Sequence, residues 1–199
     1  MVVPGSYTAN VTILSTTANL DNTRFGEVDP SDWTTITLTG GTPAQDAFFN
    51  NSSDPGSNPL VRYAMVAYLV SQYRVSAGAN AANDELQEAI WTLMDPAGET
   101  INIAGYPSDV SSDLLAAENW YLGISQNTSN LNAFLMDFEV VSDASMTTRN
   151  SQGVGVGGFQ EQIVETPEPR AIWMLIGLFG LATVLLRRSR AKSSSLEQA

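Results

Sequence analysis

The sequence predicts an α+β protein: a small antiparallel β framework with about three inserted helices, followed by one C-terminal transmembrane helix. Three observations lead there. Stretches of period-two hydrophobicity flank stretches of helical period, in the order β-β-α-α-α-β. Ala171 to Leu186, AIWMLIGLFGLATVLL, is a run of 16 residues without a charge. The charge also reverses along the chain: residues 1–169 carry four basic and 20 acidic residues, net −16, and residues 170–199 carry five and one, net +4.

The elements follow in order. Ser6 to Leu14 sets Tyr7, Ala9, Val11 and Ile13 against polar neighbours, the pattern of a half-buried strand. Trp33 to Thr39, WTTITLT, is rich in β-branched residues, ends at Gly40-Gly41 and reads as a second strand. Residues 50–59 read as a loop, at whose end Asn58 can cap a helix and Pro59 suits its first position. Leu60 to Val75 is apolar almost all round, the mark of a helix central to a core. Asn83 is the expected cap of the next helix, in which Leu86, Ala89, Ile90, Leu93 and Met94 form one face; Pro96 and Gly98 stop it. Trp91 reads as a core aromatic. A third helix is expected from Ser111 or Ser112 to Leu122, ending at Gly123. Leu131 to Val141 alternates Phe134, Met136, Phe138 and Val140 and reads as a strand. GVGVGG is either a flexible spacer or, through Val154, Val156 and Phe159, a last Gly-rich strand. Glu165 to Pro169 is an extended linker, because proline disfavours helix in its predecessor. The expected division is a domain over 1–149, a Gly-rich segment and linker over 150–169, and a terminal unit over 170–199.

Composition removes several chemistries. With no cysteine and no histidine, the chain as given has no disulfide, thiol nucleophile, His-based triad or Cys/His zinc site. A net charge of −12 argues against a nucleic-acid partner. Asp21, Glu27, Asp29 and Asp32 share a turn-rich loop, but their spacing is not that of an EF-hand and the bland reading is a solvated acidic loop. No carboxylate pair stands out as glycosidase-like, and the only lysine is Lys192. No metal, no cofactor and no catalytic residue are expected.

The terminal run has the physics of a membrane span. As a helix, 171–186 is roughly 24 Å long, against a hydrocarbon core of about 30 Å. Arg170 and Arg187 bracket it and can extend to the interfaces, and Trp173 lies near one end, where indole favours the boundary. Arg187, Arg188, Arg190 and Lys192 then place the tail in the cytoplasm and residues 1–169 outside. No basic start followed by an apolar core of about 7–15 residues comes after Met1, so the expectation is an N-terminally truncated chain whose export signal lies upstream.

Thr166 to Lys192 reads TPEPRAIWMLIGLFGLATVLLRRSRAK. Pro167-Glu168-Pro169, then the apolar run, then the arginine cluster resemble the PEP-CTERM sorting signal of Gram-negative bacteria. The resemblance implies recognition of the tripeptide by an exosortase, a membrane-embedded transpeptidase-like enzyme. It further implies a single pass through the inner membrane before processing, then a place in the cell envelope or outside the cell. The implied partners are the exosortase, the lipid bilayer, and exopolysaccharide or matrix. A second stretch, Leu86-Gln87-Glu88-Ala89-Ile90-Trp91, resembles the LQxAIW helix of thioester-type surface domains. There the glutamine cross-links to an upstream cysteine. This chain has none, so Gln87 is a thioester-type glutamine only if a cysteine precedes Met1. The function expected is therefore a structural or adhesive surface protein. The alternatives are a covalent adhesin with an upstream cysteine and a carboxylate-based hydrolase.

Overall fold

A computed structural model describes residues 8–73, 80–97, 107–146, 148–156 and 160–166. By its contacts the chain divides into two compact units, Met1–Glu165 and Thr166–Ala199. Pro167, Glu168, Pro169, Arg170, Trp173, Arg187, Arg188 and the 171–186 run lie outside the described residues. So do Tyr7, Val75, Gly98 and Phe159. Among the described residues, no helix is long and apolar enough to cross a membrane.

Among its described residues the first unit is α+β, with five α-helices and two small antiparallel sheets. Its elements are β1 (Ala9–Ile13), α1 (Pro43–Asn50), α2 (Pro59–Ser71), α3 (Asn80–Leu93), α4 (Pro107–Ile124), α5 (Thr128–Leu135), β2 (Phe138–Asp143), β3 (Thr148–Arg149), β4 (Gly155–Val156) and β5 (Gln162–Glu165). The main sheet has the order β1-β2-β5. Val11 pairs with Val141 and Ile13 with Glu139, while Glu139 and Val141 pair with Val164 and Gln162 on the other side. Paired residues share a face, so the alternate set, Phe138 and Val140, faces the core and is almost completely buried.

The central helix is α2. Asn58 caps it by accepting from the Leu60 N–H at 2.9 Å, and Pro59 opens it. It buries Val61 through Ala67 without a break, Arg62 included. The Arg62 guanidinium has no solvent contact. Its Nε donates to the Gly56 carbonyl at 2.7 Å and a terminal nitrogen to Phe49 O at 3.2 Å, and the other terminal nitrogen donates to Leu93 O. Phe49 and Leu93 lie at the C-terminal ends of α1 and α3, where carbonyls lack intrahelical partners and a cation is favoured. The guanidinium also sits 4.2 Å from the Trp33 ring centroid. Desolvation lowers its pKa to about 9, with Asp95 opposing.

Two expected strands are corrected and one unexpected helix is added. Trp33 to Thr39 buries Ile36 and Leu38 in alternation, yet among the described residues it joins no sheet beyond one bridge between Trp33 and Pro96. Side chains replace the missing strand. Asn50 accepts from Ile36 N at 2.7 Å and donates back to Ile36 O at 2.6 Å. Asp46 accepts from Leu38 N at 2.9 Å, and Ser111 Oγ accepts from Thr39 N at 2.9 Å. Helix α1, which supplies Asp46 and Asn50, is unexpected from the sequence pattern, although Thr42 and Gln45 form a reciprocal capping box and Pro43 opens the helix.

The stretch Leu131 to Leu135 is helical, not strand. Asn127 caps α5, and Leu131 and Leu135 are buried one turn apart. Alternation and i, i+4 spacing coincide at these residues, so the cap decides between them. Met136, expected on the buried face, is 56% exposed. Ring contacts at 4.7–5.0 Å run Tyr68–Trp120–Phe134–Phe138 and tie α2, α4 and α5 to β2.

Helix boundaries move as well. Helix α3 begins at Asn80, so Asn83 lies within it rather than at its cap; Ala81 and Ala82 are strong helix formers that carry the helix upstream. Helix α4 begins at Pro107 and runs through Gly123 to Ile124. In the Gly-rich segment, Gly155-Val156 pairs with Thr148-Arg149 in a two-stranded sheet, and Gln162–Glu165 joins β2.

Candidate functional site

A trough of about 530 Å³ lies between α2, α3 and β5, within the range of ligand pockets. Val66, Val70 and Tyr73 recur at i, i+4 and i+7 along α2 and the turn after it. Gln87, Ile90, Trp91 and Met94 recur at i, i+3, i+4 and i+7 along α3. Two helical stripes thus form two walls. The third wall is the consecutive run Gln160 to Val164.

Gln87 is in this trough. Its Oε1 accepts from the Tyr73 hydroxyl at 2.9 Å. Burial raises the Tyr73 pKa, with Asp84 adding to the shift. Leu86, Ala89, Leu93 and Met94 are buried and Ile90 is partly buried, so the helix face read from the sequence is present. Trp91 is a correction: it is 41% exposed at the rim rather than a core aromatic. Its place beside Gln87 and Ile90 puts it at the border of the apolar stripe, where a period count alone does not separate core from rim.

Glu161 was not singled out by sequence reasoning, and its carboxylate accepts three hydrogen bonds. Tyr63 Oη and Ser142 Oγ donate to its two oxygens, and the Arg24 N–H donates to Oε2 at 2.6 Å. It thereby joins α2, β2 and the loop after β1 to the residues entering β5. Burial raises its pKa against these three hydrogen bonds and the Arg24 charge, which lower it. Tyr63, wholly buried, is raised well above an ordinary phenol by burial and by Glu161. The one sequence cue to Glu161 is a lone acid between Gln160 and Gln162 ahead of Ile163-Val164.

Two further groups bear on acid–base readings. Glu118, on α4, is 4% exposed, and its Oε2 has no hydrogen-bond partner among the described residues. Burial, with Asp46 nearby, raises its pKa to about 7. Glu85 and Asp113 face a second cavity of about 310 Å³ between α2, α3 and α4. Burial raises the Asp113 pKa, followed by the charges of Glu85 and Asp109.

The acidic loop holds itself together locally. Asp29 accepts from the N–H and hydroxyl of Ser31, which lowers its pKa. Arg149 pairs with Glu27 at 3.4 Å and donates to the carbonyls of Asp21 at 2.6 Å and Arg24 at 2.9 Å. Among the described residues, no group of three or more acidic side chains is placed to hold a metal ion. No protein family, no curated protein and no solved structure matches the chain.

Proposed function

We propose that the chain is an exported bacterial surface or matrix protein, held in the inner membrane by residues 171–186 and sorted through Pro167-Glu168-Pro169. The observation that carries this reading is the order of three parts: a rigid tripeptide, an uncharged run, and a basic cluster of Arg187, Arg188, Arg190 and Lys192. The compact first unit ends at Glu165, the last residue of β5, so the tripeptide follows the folded domain by one residue. An extended segment docks by main-chain contacts, and two prolines limit the conformations lost on binding. The first unit then serves a structural or adhesive role outside the membrane, and exosortase, bilayer, and exopolysaccharide or matrix are its partners. The protein is not an enzyme in this reading.

The test is processing in a host that contains an exosortase. The native chain should appear as a shorter form that lacks the basic tail. The double substitution Pro167→Ala with Glu168→Ala should accumulate full length in the inner membrane. Identical processing of the two forms refutes the sorting role and leaves a plain anchor.

A further inference from the structure

We propose that the trough between α3 and the outer edge of β5 binds an extended, neutral-to-basic peptide segment that joins the sheet as a fourth strand. Successive strand residues point to opposite faces. Gln162 and Val164 share the outer face with Val141 and Glu139, and Ile163 pairs with Val140 on the core side. Yet Gln162, Ile163 and Val164 all border one cavity. A cavity on either face would meet only every second residue. One that meets all of them lies beside the strand and is bordered by its backbone edge.

That edge is open. The sheet order is β1-β2-β5, and among the described residues β5 has a strand partner on the β2 side alone. The outer edge of a terminal strand presents N–H and C=O groups that accept a further strand. Directly across the trough, Val70, Ile90 and Met94 supply an apolar floor. A peptide paired with β5 would set every second side chain on that floor and cover the exposed Trp91 ring.

Charge selects the peptide. The lining holds no lysine or arginine among the described residues. Its one carboxylate, Glu161, is occupied by Tyr63, Ser142 and the Arg24 N–H. Residues 1–169 carry a net −16. An acidic segment is therefore repelled at long range and finds no cation in the trough, whereas lysines flanking an apolar strand are attracted.

The experiment uses the full chain in lipid nanodiscs, labelled with 5-fluorotryptophan, with the Trp91 resonance assigned by Trp91→Phe. The probe is an acetylated, amidated octapeptide, Lys-Thr-Val-Thr-Val-Thr-Val-Lys, titrated to millimolar concentration. The Trp91 fluorine resonance should move while those of Trp33 and Trp120 stay, which also reports that each variant is folded. Ile90→Lys should weaken binding at least about tenfold, as truncation of an interface anchor does. Gln162→Lys, on an exposed residue that leaves the fold intact, should weaken it severalfold at low salt and less at high salt. The same peptide with proline at both its fourth and fifth residues loses a ladder donor whichever edge pairs, and should not bind. A Trp91 resonance unmoved by the octapeptide overturns the proposal. So does equal binding of the proline peptide, or a response to maltohexaose alone, which would mark a saccharide site.

Discussion

Glu161→Ala is the substitution that most directly probes how β5 is held. It removes the acceptor of three donors: the Tyr63 hydroxyl, the Ser142 hydroxyl and the Arg24 N–H. Tyr63 and Ser142 are 0% and 2% exposed, so each hydroxyl loses an acceptor inside the fold. A hydrogen bond contributes about 1 kcal/mol net, and a buried donor left without a partner costs about 1–3 kcal/mol. The Ser142 hydroxyl can turn to another acceptor, so the sum is about 3–5 kcal/mol, a large share of the roughly 5–15 kcal/mol that holds a domain together. Glu161→Gln keeps one acceptor oxygen and should cost about 1–2 kcal/mol. The assay is urea unfolding of the full chain followed by circular dichroism, with Tyr63→Phe as the second arm of a double-mutant cycle. Tyr63→Phe alone should cost about 1–2 kcal/mol, and less in the Glu161→Ala background. A loss below about 1 kcal/mol for Glu161→Ala, or strict additivity with Tyr63→Phe, would show that the carboxylate does not hold the strand.

Four other outcomes are expected. Glu118 has a pKa raised from an ordinary 4.5 to about 7, so its ionisation opposes folding. Stability should be highest below pH 4.5 for this group and fall as pH rises toward 7, and Glu118→Gln should remove about 1–2 kcal/mol of that decline in unfolding scans at pH 5 and 8. Gly153 has φ +78°, and an added Cβ would meet Glu27 O at 2.1 Å; Gly153→Ala should cost about 2–4 kcal/mol in thermal unfolding. Arg62→Lys keeps the charge but cannot reach three carbonyls from one ammonium, and should cost about 2–4 kcal/mol by urea unfolding. Gln87, held by Tyr73 in a chain without cysteine, should form no methylamine adduct by intact mass, and an adduct there would show that Gln87 is more than a polar helix residue.

Much of the α+β pattern was legible because period and cap agree. In α2, Asn58, Pro59 and an all-round apolar run carry the same message, and the helix begins there. The strand Phe138–Asp143 was legible from Phe138 onward for the same reason. Failures occur where one signal serves two structures. Trp33 to Thr39 has strand composition and alternate burial, but its hydrogen bonds go to Asn50, Asp46 and Ser111, whose reach no local pattern encodes. Leu131 to Leu135 satisfies both periods, and only the Asn127 cap separates them. Of the trough, Gln87 was visible through its neighbours in sequence. Glu161 was not, because its partners stand at residues 24, 63 and 142, brought together only by the fold.

Three roles converge on the short strand β5. It completes the sheet against β2, it follows the Glu161 clamp, and its outer edge forms a wall of the trough. It also ends one residue before Thr166, where the proposed sorting segment begins. A change that loosens β5 will therefore disturb stability, peptide capture and presentation of the tripeptide together, and cannot by itself assign any of them. The assignments separate only with substitutions that leave β5 paired. Pro167→Ala with Glu168→Ala lies beyond the strand and should alter processing while leaving unfolding and the Trp91 resonance unchanged. Ile90→Lys acts across the trough on α3 and should weaken peptide binding at least about tenfold while leaving processing unchanged. If both substitutions instead altered both readouts, the trough and the sorting segment would be one functional unit, and neither proposal could stand in its present form.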